Sequence, residues 1–118
     1  MNTEREAPRR PDLRSAVDRL GFRELVTLLT VAETGSFRRA GQRLSVGQSA
    51  ISRRIQHIED LLGVSLFERR ASGARLTPAG SRFAYRARTI LAELNFALEG
   101  AKSAAIGDAG RLSVGVAA

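Results

Sequence analysis

GSFRRAGQRLSVGQSAISRRIQHIEDLLG, running from Gly35 to Gly63, reads as two short helices joined by a tight turn, and this reading decides the fold. Gly35 supplies a helix stop and Ser36 an N-cap for a new start. The helix opened by Ser36 carries Phe37, Ala40, Gly41 and Leu44. Its small residues at 40 and 41 let another helix approach closely. Ser45–Val46–Gly47 is too short to be anything but a turn between packed helices. The next helix is predicted over Gln48–Leu62. At about 100° per residue, Ile51, Ile55, Ile58 and Leu62 fall on one face, and Gln48, Ser49, Ser52, Arg53 and Gln56 on the other. The first face is core. The second is polar, uncharged at its start and then basic, and Gly63 ends the helix.

Moving outward, Phe22, Leu25, Leu28, Leu29 and Ala32 recur at helical spacing and predict one more amphipathic helix before Gly35. On the other side, Val64–Arg70 and Ala74–Thr77 are short extended segments around a Ser-Gly turn, which reads as a small hairpin. Thr77 and Pro78 mark a helix start, Thr as N-cap and Pro at the first helical position. The helix that follows is predicted from Pro78 to about Ala105. Phe83, Ala87, Ile90, Leu94, Ala97, Ala101 and Ala104 alternate in steps of four and three, a coiled-coil-like seam that Leu91 and Leu98 widen. Such a seam is longer than a three-helix core can cover, so it predicts a dimer. Gly107 and Gly110 are expected to break the helix, and Arg111–Val116 alternates like a strand. Residues 1–20 are polar, carry Pro8 and Pro11, and read as a tail with at most a helical turn near Leu13–Leu20.

The fold class expected is mainly α: a winged helix-turn-helix of three helices and a β-hairpin wing, followed by a long dimerisation or linker helix. The divisions expected are a disordered tail over 1–19, the winged domain over 20–77, the linker helix over 78–106, and a further segment over 107–118.

Composition narrows the function. The 118 residues carry no Cys, which excludes disulfides and thiolate metal sites, and one His, His57, which cannot make a multi-histidine site. No metal cluster, glycine-rich phosphate loop or nucleophile–base pair is visible, so neither an enzyme nor a cofactor is expected. No apolar run approaches a transmembrane span and residues 1–20 lack a signal-peptide core, so a cytoplasmic location without membrane contact is expected. The net charge of +7 favours a polyanionic partner. Nearly all of the positive charge is Arg, with Lys102 the only lysine. Arg presents a planar fork suited to phosphates and guanine edges. A helix fits the major groove of DNA, where Gln can pair with adenine and Arg with guanine, while the preceding helix crosses the backbone. A basic hairpin beside it can reach the sugar–phosphate backbone.

From about Leu20 onward the chain closely resembles the N-terminal domain of LysR-type transcriptional regulators. The markers, correctly ordered, are Phe37 after Gly35–Ser36, Ala40, Leu44, Gln48, Ala50, Ser52, Ile55, Glu59, Leu62–Gly63, Leu66–Phe67, Arg69, Leu76–Thr77 and Ala79–Gly80. The resemblance implies base or groove-edge contacts from Gln48, Ser49, Ser52 and Arg53. It implies backbone contacts from Ser36 and Arg38 and, in the wing, from Arg70 and Arg75. It further implies that the helix from Pro78 pairs with a second chain through Phe83, Ala87, Ile90, Leu91, Leu94 and Leu98. The partners expected are double-stranded DNA and a second copy, or a full-length family member in a heterodimer. Arg69 could instead anchor the wing internally, and Arg54 is open between a structural role and a phosphate contact.

Three positions depart from the family pattern. Gly47 stands where Ser usually caps the recognition helix, Ser49 where Pro is common, and Gly41 where Ala is common. Gly is a tolerated N-cap, so the first costs only tenths of a kcal/mol, whereas Gly41 in a helix interior is expected to cost roughly 0.5–1 kcal/mol. Family members continue into a two-lobed effector domain, whose first strand GRLSVGVAA resembles, so the resemblance implies that 107–118 is the start of a truncated effector domain. No inducer site is expected within these residues.

Overall fold

A computed structural model describes residues 19–113, with side chains described through Gly107. Three helices come first: α1 (Phe22–Thr34), α2 (Phe37–Leu44) and α3 (Gln48–Leu62). A two-stranded antiparallel hairpin follows, β1 (Phe67–Arg70) and β2 (Gly73–Leu76), and then the long helix α4 (Pro78–Ser113). The expected tail lies outside the described residues except for Arg19.

Local chemistry sets each boundary. At the start of α1, the Gly21 N–H donates to the Glu24 carboxylate at 3.1 Å, and the helix ends at a left-handed Gly35 with φ 68°. Ser36 caps α2 by accepting from the Arg39 N–H at 3.0 Å. The turn between α2 and α3 closes through a left-handed Ser45, φ 58°, and a bond from the Val46 N–H to the Gly41 carbonyl at 2.9 Å. A Cβ on Gly41 would lie 2.8 Å from the Val46 carbonyl oxygen. An alanine at 41 would therefore require this turn to shift, an effect that opposes its better helix propensity. Thr77 caps α4 as expected, its hydroxyl accepting from the Gly80 N–H at 2.9 Å while donating to the Ser65 carbonyl at 2.7 Å.

The core sits where α1, α2, α3 and the hairpin meet. Leu28 and Val31 from α1, Ala40 from α2, and Ile51, Ile55 and Ile58 from α3 are fully buried, with Leu66 beneath the hairpin. Burying each large aliphatic chain contributes about 1.5–3 kcal/mol. The three isoleucines thus hold α3 by one face and leave its other face free.

Two expectations about α4 are corrected. The helix does not break at Gly107 or Gly110; it continues to Ser113. A glycine inside a helix costs only about 0.5–1 kcal/mol, and Gly107 does not adopt the left-handed conformation that ends α1 and α3. Arg111–Ser113 is helical rather than extended, and 114–118 lie outside the described residues. The seam, moreover, is divided. Ala84 and Ala87 are buried within the chain's own domain and Phe83 packs on its core, whereas Ile90 and Leu98 are exposed and Leu91 and Leu94 half-buried. The first turns of α4 lie against α1, and small alanines there allow that close approach.

Candidate nucleic-acid interface

The polar face of α3 emerges as the periodicity requires. Gln48, Ser49 and Arg53 are exposed and Ser52 is half-buried. Gln56 shares this face, but its amide donates to Asp60 at 2.9 Å. No side chain caps α3: Gly47 provides only its carbonyl, accepting from the Ala50 and Ile51 N–H groups at 3.0 and 3.3 Å. The first N–H groups of the helix, with the positive end of its dipole, are thus left facing outward.

Along one flank of α3 runs a cleft of about 230 Å³, lined by Ser36, Arg38, Gln48, Ser52, Arg69 and Arg70 among others. Five residues singled out from the sequence meet here, drawn from three separate elements. Ser49 and Arg53 do not line it; they lie further around α3. Arg75 is not brought to it either. It pairs in register with Glu68, on the face of the hairpin opposite Phe67 and Arg69.

The hairpin is held in place by bonds that leave its basic side chains free. The Ala74 N–H donates to the Gly35 carbonyl at 2.9 Å, fixing β2 to the α1–α2 corner. Gly73 adopts φ 136°, and a Cβ there would lie 2.4 Å from the same Gly35 oxygen. At the base of the hairpin, the Glu59 carboxylate accepts from the Leu66 N–H at 2.8 Å and the Phe67 N–H at 3.4 Å. Neither device follows from periodicity: the Ala74 bond joins residues far apart in the chain, and the Glu59 bonds cross from α3 to the hairpin.

The arginines divide by role. The Arg69 guanidinium stacks over the Phe37 ring, 4.2 Å from its centre, and Phe37 meets Phe67 edge to face at 5.9 Å. Arg69 thus braces the wing against α2 while bordering the cleft. Arg70 reaches Glu68 at 2.9 Å in an exposed ion pair. Exposed pairs contribute about 0–1 kcal/mol, so this one yields readily to a stronger anion. Arg43 pairs with Glu33 at 2.8 Å on the surface, away from the cleft. Arg54 donates to the Thr27 hydroxyl at 3.2 Å and ties α3 to α1.

Three helices, a tight turn before the third and a wing beside it define a winged helix-turn-helix protein. Residues 22–81 match the family described as bacterial regulatory helix-turn-helix protein, lysR family. The chain belongs to that family. It is 41% identical over 96 residues to the small neutral protease regulatory protein of Streptomyces coelicolor, covering 81% of this chain and 29% of the relative. It is 38% identical over 94 residues to the transcriptional regulator TfdS of Cupriavidus pinatubonensis, covering 80% and 32% respectively. The chain thus spans about a third of the length of these curated relatives. Among solved structures it resembles the CbnR DBD–DNA complex, with TM-score 0.68 and 40% identity over 71% of this chain and 97% of that one. The BenM DBD/benA site 1 DNA complex gives TM-score 0.68 at 32% identity, over 71% and 94%.

Proposed function

We propose that this chain binds double-stranded DNA sequence-specifically and regulates transcription as a dimer. The observation that carries this reading is the placement of α3. Its apolar face is locked by Ile51, Ile55 and Ile58, while Gln48, Ser49, Ser52 and Arg53 project free on the other side. A helix so mounted enters the major groove, with its first residues at base edges. In this docking, Ser36, Arg38 and Arg70 around the flanking cleft hold one phosphate backbone and so fix the register of α3. That the related CbnR and BenM structures are complexes with DNA supports the reading.

The dimer rests on the free part of α4. Ile90 and Leu98 are exposed, and Ile90 also borders an apolar groove of about 500 Å³ formed with Leu20, Phe22, Leu25, Leu61 and Leu62. These exposed apolar side chains suit the same helix of a second copy. Two copies would present two copies of α3 to half-sites about one helical turn, or a multiple, apart.

The test is selection of bound duplexes from a random-sequence pool, followed by footprinting. A dyad-symmetric protected site is expected. Recovery of no enriched sequence would sink the reading.

A further inference from the structure

The opposite flank of α3 borders a second basic cleft, in which only Arg53 has a part in the docking proposed above. Its volume is about 310 Å³, and it is lined by Arg23, Glu24, Ala50, Arg53, Arg54 and His57. Arg23 and Glu24 come from the first turns of α1 and the rest from α3. Ala50, Arg54 and His57 lie at helical spacing on the side of α3 turned away from Gln48 and Ser52, with Arg53 between them and the exposed polar face. Three guanidinium groups therefore border one opening.

Their charge is little offset. Among the described residues the ion pairs are Arg43–Glu33, Arg70–Glu68 and Lys102–Glu99, none of which involves these arginines. Glu24 is the one acid among the described residues that line the cleft, and its Oε1 accepts from the Gly21 N–H at 3.1 Å as the cap of α1. Arg54 is held in place by its bond from Nη1 to Thr27, a residue fully buried in α1. The rest of its fork remains available, since a guanidinium carries five N–H donors. His57, which also lines the cleft, lies 2.8 Å from the Arg19 carbonyl through Nε2.

We infer that this cleft binds the second phosphate backbone of the same major groove, with Arg23 and Arg54 as its phosphate ligands. The inference rests on the DNA-binding reading above. An α-helix with side chains is about 10–12 Å across and the major groove about 12 Å wide, so both flanks of an inserted helix face a wall of phosphates. The cleft at Ser36, Arg38 and Arg70 serves one wall. The cleft at Arg23 and Arg54 serves the other, which makes α1 part of the grip on DNA and α3 a helix clamped from two sides. Phosphodiester oxygens are the ligand class that paired guanidinium forks match.

Arg23→Gln tests this on an exposed residue outside the core. With a random-sequence duplex and with a selected operator, affinity is expected to fall by a similar factor, about tenfold at low salt. The slope of log K against log salt should decrease by about one for each protomer. Arg53→Ala should instead act mainly on the operator. An unchanged salt slope in Arg23→Gln overturns the clamp. Ethylation interference with the unaltered chain tests it independently of any variant. Interfering phosphates on both walls of each half-site are expected, and interference on one wall alone overturns it. An unaltered chain that binds no duplex at all sinks the DNA-binding reading and the clamp with it, whereas a one-walled footprint sinks only the clamp.

Discussion

At the scale of single residues, side chains that look alike in the sequence act through different physics. Arg53 is exposed on α3 and has no hydrogen-bond or ion-pair partner among the described residues, whereas Arg69 is stacked on Phe37 and Arg54 is tied to Thr27. Arg53→Ala should therefore cost about 1–3 kcal/mol of operator affinity, the range for one good base contact, with a smaller loss on random DNA. Competition binding against a random-sequence duplex measures the difference. Ser36→Ala removes an N-cap and should cost about 1 kcal/mol in stability, read by urea denaturation. Gly73→Ala should cost more than 1 kcal/mol in the same assay. The new Cβ is strained at φ 136° and collides with the Gly35 carbonyl that receives the Ala74 bond. A variant as stable as the original would show that the wing does not rest on that corner.

At the scale of elements, α4 is one helix with two uses. Gly80, Ala84 and Ala87 turn toward the domain and are buried, while Ile90 and Leu98 stand in solvent. A charge at Ile90 should therefore act on assembly rather than on folding. Ile90→Glu is expected to shift the chain toward monomer in sedimentation equilibrium while leaving the denaturation midpoint of the monomer nearly unchanged. Ala84→Leu should do the reverse, because overpacking a filled interface costs about 1–3 kcal/mol. The seam was legible in the sequence as a periodicity. Which of its residues face inward was not, because alanine at close helix contacts and alanine on a surface stripe obey the same spacing. The end of α4 differs from the expectation for a similar reason: glycine weakens a helix without specifying where it stops.

At the scale of the whole molecule, charge governs how the protein meets a polyanion. The net charge of +7 is carried mostly by arginine, and basic groups border α3 on both flanks. Binding should weaken steeply with salt, by about 0.9 log units per log unit of salt for each phosphate neutralised. Titrations of a random-sequence duplex at several salt concentrations count those contacts. A nearly flat dependence would mean that the basic groups stay solvated.

The sequence by itself determined the number and order of the elements, the faces of α1 and α3, and the candidacy of Gln48, Ser49, Ser52 and Arg53. These rest on signals that are local in the chain: helical periodicity, a Ser or Thr cap, a glycine stop, a proline at the first turn. The tertiary structure alone decided how those parts are joined. The wing is fixed by Ala74 on Gly35 and by Glu59 on Leu66, α3 is tied to α1 by Arg54 on Thr27, and Arg69 is withdrawn onto Phe37. Each of these links is a short-range bond or stack across a stretch of chain, seven positions for Glu59 and Leu66 and 27 or more for the others, and no periodicity or cap encodes which partner a side chain will meet. The opening on the far flank of α3 belongs to this second kind, since it exists only where α1 and α3 cross.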